Sequence, residues 1–255
     1  MNKAVFVELA DKRYEYVLEL LIKEGFAAFS RGEESLYADY QKIYIMSLLF
    51  EVSENFARQL DNNSYLFSGK LSDDVAKIIA EKNITHINIL EDELFLYKNA
   101  YVTAECALSY IIDNTPLTLS GMNTLIFGYG RVGKCMAEVL KNNKAKINVV
   151  TDNAKESAEA AVFADGVFSI GDFAAKLGDY DAIINTIPKL ILKGEIKQLN
   201  KDCFLLDLAS LPGGIDKKEA DRLGIKYIHA LGVPGLLAPK TAGRYIKDVV
   251  IRSLK

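Results

Sequence analysis

Residues 123–133 read NTLIFGYGRVG: an apolar run passes directly into Gly128-x-Gly130-x-x-Gly133, and a helical pattern follows. No other segment limits the fold as strongly. Gly128 permits a tight turn, Gly130 lets backbone approach a pyrophosphate, and Gly133 lets the helix lie close to the strand. The start of that helix offers unpaired N–H groups and partial positive charge to phosphates. Arg131 and Val132 sit within the turn, and Arg131 could clamp a phosphate or a substrate carboxylate. The next strand, INVVTD, ends at Asp152, nineteen residues after Gly133. A carboxylate there accepts from ribose hydroxyls and repels a 2′-phosphate, so NAD is expected over NADP. The alternative is that Asp152 only caps the next helix.

Around this segment, strands and helices alternate. The spacing predicts strands at Asn123–Phe127, Lys146–Thr151, Gly166–Ser169, Asp181–Thr186, Cys203–Leu208 and Ile225–His229. Helices are expected at Val132–Asn142, Lys155–Ala161, Gly171–Leu177, Leu190–Leu199 and Asp216–Leu223. The first half reads the same way: strands at Ala4–Leu9, Phe26–Phe29, Lys42–Leu49, Tyr65–Phe67 and His86–Leu90, with helices from Asp11 and over Leu71–Glu81. Such alternation implies a mostly parallel sheet. The fold class is therefore α/β: a doubly wound parallel-sheet (Rossmann) NAD(P)-binding domain with a second, smaller α/β domain. Residues 1–100 together with the final helix, 239–255, are assigned to a flavodoxin- or Rossmann-like substrate domain. Residues 101–238 form the dinucleotide-binding domain, opened by a crossing helix at Tyr101–Asn114.

In open α/β sheets, ligands sit at the carboxyl ends of the strands. Those ends supply further candidates for cofactor contact: Thr186, Ile187 and Pro188 in INTIP, Asp207, Ala209 and Ser210 in LDLASLPGG, and Val233 and Pro234 in GVPG. Asp207 has two readings, a structural carboxylate holding backbone N–H groups or a cofactor contact.

Net charge of −3 argues against a general nucleic-acid binder. No apolar run approaches the ~18 residues a membrane span needs. Three scattered cysteines without a CxxC pair suggest a reducing compartment. A cytoplasmic protein is expected, and no metal-ligand spacing is present. The amphipathic last helix and a Tyr-rich first half offer apolar surface, from which a homo-oligomer is expected.

GYGRVG, INTIP, LDLASLPGG and GVPGLLAPKTAG, in this order and spacing, resemble the A-subunit family of dipicolinate synthase. The resemblance runs from about Asn99 to the C-terminus and includes the crossing segment NAYVTAECALSYIIDNTP. The first 95 residues match poorly; the family's glycine-containing loop after its first strand is replaced by VELADKR, and its substrate loop by SLLFEVSENF. The resemblance implies oxidation of a dihydrodipicolinate-type dicarboxylate, a product of the lysine pathway, with NAD or NADP, for sporulation. It also implies a flavoprotein-like B chain of the synthase as partner.

That chemistry needs a hydride acceptor, a base and groups that hold two carboxylates. Glu105, on the crossing helix and expected to face a cleft, is the candidate base or water-positioning residue; the alternative is a surface glutamate. Its apolar neighbours Ala104, Ala107 and Leu108 are expected to raise its pKa. Lys240 and Thr241 in APKTAG are candidates for holding a carboxylate, the alternative for Lys240 being a solvated helix-start lysine. His229 ends the last strand, but its loop lacks the pattern of 2-hydroxyacid dehydrogenases. Two alternatives remain open: a dehydrogenase of another small carboxylate, and a non-catalytic NAD-binding regulatory protein.

Overall fold

In a computed structural model of the chain, which describes residues 2–48 and 50–254, two compact units are present. One comprises Met1–Asn99 and Pro234–Lys255, the other Ala100–Val233.

The first unit is built on β1 (Lys3–Val7), α1 (Lys12–Lys23), β2 (Ala27–Ser30), β3 (Gln41–Ile45), α2 (Glu54–Gln59), β4 (Tyr65–Ser68), α3 (Asp73–Glu81) and β5 (Thr85–Asn88). The five strands are parallel in the order β2-β1-β3-β4-β5. Alternate side chains of a strand face opposite sides. Val5 and Val7 meet Tyr14, Val17 and Leu21 of α1 on one face, while Ala4 and Phe6 join Tyr44, Leu66 and Ile78 on the other.

α4 (Glu93–Asn114) leads into the second unit, which continues with β6 (Asn123–Phe127), α5 (Arg131–Asn142), β7 (Lys146–Val150), α6 (Ala154–Phe163), β8 (Gly166–Phe168), β9 (Ala182–Asn185), β10 (Phe204–Asp207), α7 (Lys217–Leu223) and β11 (Tyr227–His229). Its six parallel strands run β8-β7-β6-β9-β10-β11, the order of the doubly wound dinucleotide fold, with the reversal between β6 and β9. Ile126 packs on one face of this sheet, Leu125 and Phe127 on the other. Burying a side chain as fully as Phe127 stabilises by about 1.5–3 kcal/mol. A short α8 (Val233–Leu237) and α9 (Pro239–Leu254) end the described chain.

The structure corrects several elements. Two expected helices are 3-10 turns, Phe173–Asp179 and Gly194–Gln198; just before the second, Leu192 instead forms a parallel bridge to Ile215. α4 starts two turns before Tyr101, where the Asp92 carboxylate accepts from Phe95 N. β5 ends at Asn88, whose side chain caps a 3-10 turn over Ile89–Glu91. α2, absent from the sequence reading, is capped by Ser53. The ends of two expected elements, Leu49 and Lys255, lie outside the described residues. The apolar face of α9 (Ile246, Val249, Val250) is buried against α1 and β1, so it is not available to a second copy. Tyr14 and Tyr44 are buried as well. Among the described residues, no helix is long and apolar enough to cross a membrane.

Candidate functional site

The turn after β6 needs its glycines for different reasons. Gly128 has φ +88°, and a Cβ there would stand 2.6 Å from Thr186 Oγ1. A Cβ on Gly133 would stand 2.2 Å from the carbonyl oxygen of Gly128, so α5 lies directly against the turn. Gly130 is the N-cap of α5 and provides no side chain to the helix end. A Cβ on it would meet nothing closer than Glu156 Oε1 at 3.8 Å. Thr186 closes the opposite side, its N–H and its hydroxyl both donating to Phe127 O at 2.9 and 2.8 Å.

Seven of the expected residues, Gly128, Gly130, Arg131, Val132, Thr186, Ile187 and Pro188, line one cavity of about 310 Å³ at the reversal between β6 and β9. The residues present fit a pyrophosphate. The helix end is uncapped, its dipole is positive there, and the backbone is bare of Cβ where phosphate oxygens would approach.

Asp207 takes the structural role. It is fully buried, and its oxygens accept from Asn185 Nδ2 at 2.8 Å, Ala209 N at 3.1 Å and Gly214 N at 2.7 Å. Asn185 also binds both the N–H and the carbonyl of Ile187. The LPGG segment folds tightly onto this pair: a Cβ on Gly214 would stand 2.4 Å from Asn185 Nδ2. Ala209 is buried, and its carbonyl accepts from His229 Nε2 at 2.8 Å, which makes His229 part of the same knot. Tyr227 lies against it, and burial, with Asp207 beside it, pushes its phenol up to about 12. Asp207 and Ala209 therefore hold the loop, while Ser210 stands exposed.

Asp152 is exposed, and its Oδ1 accepts from Ile170 N at 2.8 Å. It does not cap α6; Asn153 does, accepting from Glu156 N. Val233 and Pro234 are buried and are not among the described residues lining the cavity at the reversal between β6 and β9. Glu105 stands exposed on α4 beside buried Ala104 and Ala107, so the apolar enclosure expected around its carboxylate is missing. Lys240 is exposed in the first turn of α9, and Thr241 is half-buried behind it.

Two residues at the site were missed. Asn185 reads as the last position of an apolar strand. Glu156 lies three residues after the Asn153 cap, a spacing that signals a capping box. Its carboxylate goes elsewhere, with Oε2 accepting from Thr151 Oγ1 at 2.8 Å and Tyr129 N at 3.2 Å, and Glu156 lines the cavity.

No protein-family model matches the chain. It is 31% identical over 191 residues to the dipicolinate synthase A subunit of Bacillus subtilis (strain 168), covering 74% of this chain and 64% of that relative. The chain thus spans just under two thirds of the relative's length. The crystal structure of the dipicolinate synthase A subunit from Bacillus halodurans superimposes with a TM-score of 0.85 at 26% identity, covering 99% of this chain and 97% of the other. An L-alanine dehydrogenase structure shares the fold, with a TM-score of 0.67 at 12% identity over all of this chain and 89% of its own. By sequence and fold, the chain is similar to the A subunit of dipicolinate synthase.

Proposed function

We propose that this chain is a nicotinamide-dependent oxidoreductase similar to the dipicolinate synthase A subunit, oxidising a dihydrodipicolinate-type dicarboxylate to dipicolinate for sporulation, with NAD as cofactor. The observation that carries this reading is the uncapped start of α5 behind Gly128 and Gly133, in a chain similar to that enzyme. A bound nicotinamide would supply the hydride acceptor. The backbone N–H groups of α5 hold the pyrophosphate, and Arg131 at the cavity wall adds a cation. Glu105 receives the proton that leaves with the hydride, and Lys240 and Thr241 hold a substrate carboxylate. Aromatisation is downhill, so positioning supplies much of the rate. A flavoprotein-like partner chain works beside this one.

The test is a coupled assay: pyruvate, aspartate semialdehyde and dihydrodipicolinate synthase supply substrate, NAD and NADP are tried separately, and the partner chain is added or withheld. Nicotinamide reduction and dipicolinate absorbance should rise together only with this chain present. If neither rises while NAD binds, the substrate assignment falls. One observation favours a second reading, a dehydrogenase of another small carboxylate. The first-unit cavity of about 290 Å³ holds Arg31, but Arg31 is paired with Glu8 at 3.2 Å and shares the cavity with Glu51, a poor setting for two carboxylates.

A further inference from the structure

Resting on the dinucleotide reading, we infer that Glu156, and not Asp152, reads the adenosine ribose and excludes a 2′-phosphate. In the doubly wound plan, the connection after the second strand meets the ribose, while the turn after the first meets the pyrophosphate. Both Asp152 and Glu156 lie on that connection, and the structure separates them. Asp152 is exposed, has one oxygen bound to Ile170 N, and is not among the described residues lining the cavity. Glu156 lines it, and its carboxylate is fixed from two sides, by the buried Thr151 hydroxyl at the end of β7 and by Tyr129 N–H inside the glycine turn.

A carboxylate pinned to the N–H of the residue between Gly128 and Gly130 sits at the edge of the pyrophosphate cradle. Oε2 accepts both of those hydrogen bonds, and Oε1 lies 3.8 Å from the place a Gly130 Cβ would take. A carboxylate so placed accepts from ribose hydroxyls, and a 2′-phosphate would meet a like charge. Two nearby lysines act on a different carboxylate. Lys134 of α5 pairs with Glu159, and Lys155 acts on the same Glu159 carboxylate. Among the described residues of the cavity, Arg131 is the one cation and Glu156 the one carboxylate.

The experiment is calorimetric titration of the full chain with NAD, NADP and adenosine 2′,5′-bisphosphate, for the wild type and for Glu156→Gln, Glu156→Asp and Asp152→Asn. The wild type should bind NAD at least about tenfold more tightly than NADP, the scale of one hydrogen bond to a charged group. Glu156→Gln keeps the shape and should bring that ratio to within about threefold and admit adenosine 2′,5′-bisphosphate; Glu156→Asp keeps the charge and should still refuse NADP. Asp152→Asn should leave the ratio unchanged. A wild-type preference for NADP, or a collapse of the ratio in Asp152→Asn with Glu156→Gln unaffected, overturns the assignment. Binding of neither nucleotide by any of the folded proteins would overturn the dinucleotide reading itself, a distinct result.

Discussion

In each unit the first strand runs through a short turn into a helix, yet the two turns differ. After β6, the turn carries glycines, the N-cap of α5 has no side chain, and the helix end lies open. After β1, the chain reads ELAD: the Asp11 carboxylate accepts from Arg13 N at 2.8 Å and grips the Arg13 guanidinium, and Glu8 accepts from Ser47 N. Topology offers an anion site at both places. In the first unit the Asp11 carboxylate caps the start of α1; in the second no side chain caps α5, and the Glu156 carboxylate accepts only from Tyr129 N–H at the edge of the turn. Fold alone does not assign the function; the side chains at the turn do.

The largest effect expected around the open turn comes from its scaffold. Asp207→Ala would leave the Gly214 and Ala209 N–H groups without their acceptor and take one partner from Asn185, and should cost about 1–3 kcal/mol per stranded donor by denaturant unfolding. Nucleotide affinity of the molecules that remain folded should change little, and a specific loss of affinity would return Asp207 to the ligand. Gly133→Ala forces α5 away from the turn; about 1–3 kcal/mol of stability should go, and nucleotide binding with it, as read by melting and titration. If binding survives, the close packing that separates the two turns is not what opens the site.

Asp11→Ala empties the filled turn. It should cost about 1 kcal/mol from the lost cap, and should not create nucleotide binding in the first unit, since no glycine is there to let phosphate approach. Burial alone would raise the Asp11 pKa, but its hydrogen bonds and ion pair with Arg13 outweigh that and hold it below 3.8. Its stabilising contribution is therefore present above that value and lost as pH falls through the lowered one, so the acid limb of the wild-type unfolding curve should flatten in Asp11→Ala. The smallest effect is at His86, whose pKa burial lowers below 6.5. The unfolded chain takes up that proton first, so stability should decline as pH falls below 6.5, and His86→Gln should remove the decline.

Much of this contrast is legible in the sequence, because glycine spacing encodes backbone shape directly. Gly128 and Gly133 sit where a Cβ cannot. Strands were readable from their apolar runs, since sheets buried on both faces leave little else to read. The early turns of α4 were not, because its apolar residues are spread around the helix and form no single stripe. The segment at Leu190–Leu199 has helix-like spacing, yet Leu192 bridges Ile215, a partner more than twenty residues away that no local pattern announces. Glu156 was hidden for a related reason: its spacing from Asn153 spells a local cap, while its hydrogen bonds reach back to β7 and to the glycine turn.

The placement of α9 has a consequence for the order in which a nascent chain becomes structure. The second unit is one continuous stretch, Ala100–Val233, and can be finished as soon as it has left the ribosome. The first unit cannot, because Ile246, Val249 and Val250 complete its core and Lys247 pairs with Glu24, 223 residues away. The part synthesised first is the part completed last, and until residues 234–254 emerge, the flank of α1 around Val17 and Leu21 waits uncovered while the second unit is already folded.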